Sequence, residues 1–376
     1  MSLLGCYANK AKFWHFRPPL LLLALTAPSL ITHVEASESF YKGKLIDIGT
    51  HRLHIHCTGE GSPTVVFDSG IGGFSLEWTK IQKNLTKNNL KVCSYDRAGY
   101  GWSDSGPKPR TTVRITKELK TLLTQANIPG PYFLVGHSFG GYNVRYFASE
   151  YPKLTAGLIL IDSSHPLQFN TLEFKKIKPT KHINSFRINI IKPVIADNYP
   201  EKNKRVAYIL MSTNKSKRTL MDELENMEIS AIQLAERSNH KTYNLPVTLI
   251  TRGKRAWPNN KFGNRREQQW TKLQYDLENI SDNTTHHFAY KSGHAIHLDE
   301  PKLVTDKILS AIIKSRSSLI KSELRKIFSN NLVTYSIISS FNTPKLLDQN
   351  IITDLNRKTV IKKYVYQTGW LNNSLL

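Results

Sequence analysis

Through the middle of the chain, short runs of β-branched and aromatic residues alternate with longer stretches whose apolar positions recur at helical spacing. Residues 43–48 and 51–57 predict a hairpin around Gly49-Thr50, and residues 64–67, 91–95, 132–135, 157–161, 247–250 and 287–291 predict six further strands. Residues 76–87, 112–126, 139–151, 268–280 and 302–315 read as helices. This order is that of a mostly parallel sheet covered by helices, an α/β architecture. A hydrophobic fraction of 40% over 376 residues is enough for one large core with an inserted subdomain.

One gap is too long to be a connection. Residues 165–243, after the sixth predicted strand, are Lys-rich and carry a helical pattern at 217–237. A stretch of that length has its own structure or function and is expected to form a cap. The expected division is therefore an α/β core at 37–164 and 244–315, a cap or lid at 165–243, and a basic Ser- and Asn-rich extension at 316–376. Within the extension, 334–340 and 359–366 are rich in β-branched residues, and no role follows from them.

The N-terminus departs from this pattern. Lys10, Lys12 and Arg17 precede the apolar run Leu20 to Ala27, and Val34-Glu35-Ala36 has the small-x-small form of a secretory cleavage site. Residues 1–36 are thus expected to be a signal peptide, cleaved after Ala36, with the mature protein periplasmic or secreted. A membrane anchor by an uncleaved N-terminus is the alternative, although the run is short of the roughly 20 residues of a span. With Cys6 removed, Cys57 and Cys93 remain, an even number for an oxidising compartment.

Charge changes the picture only slightly. Lys and Arg outnumber Asp and Glu 52 to 29, for a net charge of +23. Such a field favours acidic partners or an anionic membrane surface. The basic residues are spread thinly, without zinc-ligand spacing or a basic helix, which argues against a nucleic-acid partner.

The candidate chemistry starts at Gly136-His137-Ser138-Phe139-Gly140, between the strand Tyr132-Phe133-Leu134-Val135 and the helical Asn143-Val144-Arg145-Tyr146. A G-x-S-x-G segment between strand and helix puts serine on a sharp turn. Ser138 is accordingly the expected nucleophile, and the Phe139 backbone N–H, next in the chain, an expected oxyanion donor. The loop Asp68-Ser69-Gly70-Ile71-Gly72-Gly73 should supply the second, from the backbone of Ile71; a plain glycine-rich turn is the alternative there.

Together with Tyr95-Asp96-Arg97-Ala98-Gly99-Tyr100-Gly101-Trp102-Ser103 and Gly293-His294 with Pro301, these segments resemble the α/β-hydrolase superfamily over about residues 40–315, particularly its bacterial esterase-like members. The resemblance implies an eight-stranded sheet with the cap after strand six, and no cofactor. It also implies a base late in the chain, which is His294, with His297 a packing or surface residue and His286 and His287 at the wrong end of the last strand. Most relatives carry the acid after strand seven, yet residues 251–258 contain no carboxylate. Asp162, after strand six, is the expected substitute, with Asp282 a distant second and a turn or capping role the plain alternative. The His-Gly usual before the oxyanion loop is Ser69-Gly70 here. Since strands two and four neighbour each other in this fold, a Cys57–Cys93 disulfide is a further expectation.

The resulting expectation is a serine hydrolase that cleaves a carboxylic ester, including a lipid ester or thioester, through an acyl-enzyme. Dehalogenases and epoxide hydrolases of the superfamily carry Asp at the position of Ser138, and the His-Gly-Gly-Pro-Gly segment of proline iminopeptidases is not matched. Two alternatives stay open: a hydrolase-fold binding protein for an anionic surface or partner, and a peptidase or amidase of the same fold.

Overall fold

The computed structural model describes residues 42–172, 193–238 and 242–327. The expected signal peptide, Cys6 and the β-branched segments of the extension lie outside the described residues. Eight strands form one sheet: β1 (Lys44–Asp47), β2 (Arg52–Thr58), β3 (Thr64–Asp68), β4 (Lys91–Tyr95), β5 (Tyr132–His137), β6 (Thr155–Ile161), β7 (Val247–Arg252) and β8 (Thr284–Ala289). Their spatial order is β1-β2-β4-β3-β5-β6-β7-β8, and β2 alone runs against its neighbours.

The alternation of side chains along the strands divides the core in two. Val66, Leu134, Leu158, Leu160 and Leu249 pack on one face against α2 (Thr112–Gln125) and α3 (Gly140–Glu150), through Leu119, Leu122, Val144 and Phe147. Val65, Phe67, Phe133, Val135, Ile159 and Ile161 face the other way, onto α1 (Thr79–Leu85) and α10 (Pro301–Ile327), through Ile81, Leu85, Val304 and Ile308. Central strands buried on both faces explain the near-continuous apolar runs read from the sequence.

The segment between β6 and β7 is helical: α4 (Gln168–Thr171), α5 (Glu201–Ser212), α6 (Asn214–Glu225) and α7 (Met227–Ser238). The single helical pattern over 217–237 is in fact two helices that meet at Asn226, whose side chain bonds back to the Asp222 carbonyl at 2.8 Å. Helix α8 (Lys261–Asp276) starts seven residues before the expected 268, because the Asn260 side chain caps it by accepting from Gly263 N at 2.8 Å. Strand β8 begins three residues and ends two residues earlier than expected; pairing with β7, from Val247↔Thr284 to Arg252↔Ala289, fixes its limits. After the short α9 (Ile296–Asp299), the last helix, α10, does not stop at Ser315 but continues to Ile327. Among the described residues no helix is long and apolar enough to cross a membrane.

On the antiparallel β2–β4 pair, Cys57 and Cys93 are direct register partners, and they are joined by a disulfide.

Candidate active site

The carboxyl ends of β3, β5 and β6 and the loop after β8 bring the candidate residues to one edge of the sheet, where ligands bind in open parallel sheets. Ser138 stands between β5 and α3 with φ of 51°, in the left-handed region that non-glycine residues rarely occupy. The turn is held by backbone bonds on both sides: Ser138 N donates to Ile161 O at 3.1 Å, and its carbonyl accepts from Gly141 N at 2.9 Å and Ser164 N at 3.0 Å. Space for this turn exists because a side chain at Gly140 would run into the Asp68 carbonyl and one at Gly141 into Ser163.

Asp162 follows β6, also with positive φ, 39°. Its Oδ2 is 2.6 Å from His294 Nδ1, so these two residues, 132 positions apart in sequence, form one pair. The carboxylate is fully buried and accepts further bonds from Arg252 Nη1 at 3.0 Å and Trp270 Nε1 at 3.0 Å. Burial pushes the Asp162 carboxyl up, but the Arg252 guanidinium and the His294 hydrogen bond outweigh it and hold the group at about 2. An ionised Asp162 makes Nδ1 the protonated nitrogen of His294 and leaves Nε2 as its basic nitrogen. The His294 backbone is tied to the residue before Ser138, since His137 Nε2 lies 2.9 Å from the His294 carbonyl oxygen. Burial, with His297 and His294 nearby, keeps the His137 ring well below the usual histidine range and hence neutral.

The Gly70–Gly73 segment is a tight turn closed by Gly73 N to Gly70 O at 3.1 Å, with Gly72 at φ of 82° in the position where a type II turn demands it. It lies against the serine: a methyl group on Gly70 would come within 3.2 Å of Ser138 Cβ. Ile71 packs on the cluster around Phe139 and Tyr142, and Phe139 opens α3, whose first amides lack acceptors within the helix. Ser69 Oγ accepts from Trp78 Nε1 at 2.8 Å.

The remaining candidates separate clearly. Asp282 is exposed on the turn before β8, at the opposite edge of the sheet from Asp162. His286 lies within β8, 2.7 Å from Glu278 and 2.8 Å from Thr251 Oγ1. His287 neighbours it on the same strand, and His297 is buried and stacked on Trp78. His297, Glu77 and His137 form a buried group whose ligand atoms lie within 4.8 Å of one another.

Sequence reading missed Arg252, Trp270 and Glu267. Arg252 is the last residue of β7, within the stretch 251–258 that contains no carboxylate. Its guanidinium lies between Trp257 and Trp270, 5.0 Å from each ring, and its Nη2 bonds Glu267 at 3.0 Å. A lone arginine ending an apolar strand was the one signal available.

A family model for the alpha/beta hydrolase fold matches residues 63–182. The Bacillus subtilis uncharacterized protein YqjL is 26% identical over 249 residues, 66% of this chain and 83% of that protein. Among solved structures, the enol-lactonase of Burkholderia xenovorans superposes with a TM-score of 0.50 at 16% identity, covering 70% of this chain and 97% of the lactonase. Epoxide hydrolase CorEH does so with 0.52 at 17% identity, covering 71% and 96%. At those identities the likeness is one of fold. The chain spans only 20% and 43% of the length of two other curated relatives that it matches. The sheet order and the match over residues 63–182 together show that the chain has the α/β-hydrolase fold.

Proposed function

We propose that the protein is a serine hydrolase that cleaves a carboxylic ester through an acyl-enzyme on Ser138. The observation that carries this reading is the 2.6 Å Asp162–His294 pair at the sheet edge that also holds Ser138 on its strained turn. In the proposed cycle His294 Nε2 takes the Ser138 hydroxyl proton as Oγ bonds to the ester carbonyl carbon. The tetrahedral oxyanion is received by the N–H groups of Phe139 and Ile71. Collapse breaks the carbon–oxygen bond to the alcohol, which leaves with the proton held by His294. Water, deprotonated by the same nitrogen, then attacks the acyl-enzyme and releases the carboxylic acid and Ser138. Asp162, ionised throughout, keeps His294 in the required tautomer and stabilises its cation.

Ester chemistry is favoured because serine stands at the nucleophile position, and the enol-lactonase, named for a cyclic ester, shares the fold. Fluorophosphonate labelling tests the reading: the folded protein should label at one site, and Ser138→Ala should abolish it. A folded wild-type protein that does not label, or labelling unchanged in Ser138→Ala, would remove the proposal. We place the mature protein outside the cytoplasm, a reading supported by the Cys57–Cys93 bond and the leader-like first 36 residues.

A further inference from the structure

The catalytic cycle does not use Arg97, yet Arg97 is 2% exposed and spends all five of its N–H donors at the edge of the site. Nη1 donates to Asp68 Oδ1 at 2.9 Å and to the Ser69 carbonyl at 2.6 Å. Nη2 donates to the Gly70 carbonyl at 2.9 Å and to Glu223 Oε2 at 2.9 Å, while Nε donates to Glu223 Oε1 at 2.8 Å. Glu223 is fully buried on α6, in the segment inserted between β6 and β7, and also accepts from Tyr100 Oη at 3.0 Å.

The Gly70 carbonyl belongs to the same planar peptide unit as the Ile71 N–H. In a trans peptide the two point in opposite directions, so fixing the carbonyl aims the amide. Gly70 O accepts from Gly73 N as well as from Arg97, and hydrogen bonds accepted at a peptide oxygen polarise the N–H on its far side. The guanidinium is in turn gripped along its Nε–Nη2 edge by both oxygens of Glu223, the planar fork geometry that arginine alone offers. On the same helix and one residue after Thr219, Leu220 stands 3.4 Å from where a Gly72 side chain would begin, so α6 also covers the turn directly.

We infer that Arg97 and Glu223 are positioning residues for the oxyanion site: the carboxylate from the inserted segment locks the guanidinium, and the guanidinium aims the Ile71 N–H at the developing negative charge. This rests on the acyl-enzyme reading of Ser138. Its consequence is that the inserted segment is part of the catalytic apparatus, because the guanidinium that aims the second oxyanion donor is itself held by Glu223, a residue that the α/β core does not contain. Stability alone does not call for this arrangement, since apolar side chains of similar volume stabilise a buried position at least as well as an ion pair. A fully satisfied polar network sets direction, which packing does not.

The test compares an oxo ester with its thiono analogue, whose sulfur gains little from oxyanion donors, in wild type, Glu223→Gln, Arg97→Lys and Tyr100→Phe. Folding is checked by thermal melting. Glu223→Gln and Arg97→Lys should lower kcat on the oxo ester about 10- to 100-fold, with KM within about threefold and the oxo-to-thiono rate ratio reduced, since losing a single oxyanion donor costs about 10²–10³ in kcat. Tyr100→Phe leaves the fork intact and should move the ratio in the same direction by about two- to fivefold, which keeps the inference testable if the charged variants do not fold. Folded Glu223→Gln with unchanged kcat, or with kcat lowered equally on both esters, would overturn the inference. Wild-type protein that fails to label with fluorophosphonate would instead remove the reading of Ser138 on which it rests.

Discussion

Arg252 Nη1 sits 3.0 Å from Asp162 Oδ2, so the residue that ends β7 is the counter-charge of the carboxylate that follows β6. The last residue of β7 is thus a cation, and the carboxylate that bonds His294 follows the neighbouring strand. Replacing Arg252 by leucine removes the strongest influence opposing burial. Asp162 should then titrate about 1–3 units above its present value of about 2. In the folded protein a lowered carboxyl contributes stability above its unfolded value of 3.8, lost as pH falls through about 2; in the variant that loss should begin at higher pH. The fall of melting temperature on the acid side should begin at higher pH in Arg252→Leu than in wild type, and superimposable acid-side melting profiles would refute the coupling.

Asp162→Asn should lower kcat on the order of 10³- to 10⁴-fold while leaving the fold intact, because an amide cannot hold His294 in the tautomer that leaves Nε2 basic. Asp282→Asn, at the far edge of the sheet, should change kcat by less than about twofold. Steady-state kinetics on one activated ester decide between them; equal losses in the two variants would contradict the assignment.

His54 and Asp96 form a buried pair at 2.9 Å, and the other ring nitrogen of His54 lies 2.6 Å from the Lys42 carbonyl. Two acceptors on two nitrogens call for the imidazolium. Burial alone would lower His54, but the bond to Asp96 outweighs it and raises the ring above 6.5. Burial likewise would raise Asp96, and His54 holds it below 3.8. The His54 contribution is complete below 6.5 and lost as pH rises through the raised value; that of Asp96 is complete above 3.8 and lost as pH falls through the lowered one. The melting temperature of His54→Gln should therefore fall further below that of wild type near pH 5 than near pH 9, because only the wild-type protein carries the contribution that is lost as pH rises. Parallel melting curves for the two proteins across this range would argue against an imidazolium at His54.

Gly99 has φ of 91°, and a side chain there would collide with Thr219 on α6. Gly99→Ala should cost about 1–3 kcal/mol from backbone strain and the displaced helix. Because α6 carries Glu223, it should also reduce activity. Chemical denaturation reads the first effect and ester turnover the second; a variant as stable as wild type would show that the seam yields freely.

Much of this protein is determined by its sequence alone. Near-continuous apolar runs on buried strands and the strand–turn–helix context of Ser138 are local signals, set by a few neighbouring residues, and they identify the sheet, the candidate nucleophile and the histidine loop. Asp162 was reachable only by elimination, because the residues after strand seven contain no carboxylate. Whether a carboxylate meets a histidine 132 residues away is settled by sheet order and not by spacing. Tertiary structure alone decided that Arg252 and Trp270 surround that carboxylate and that Glu223 reaches across to Arg97. These are long-range pairings of buried charge, for which periodicity carries no information. The limits of β8 and α8 belong to the same class, since a partner strand and a capping side chain set them. Sequence placed Ser138 on its turn, and the packing of distant segments decides which groups surround it.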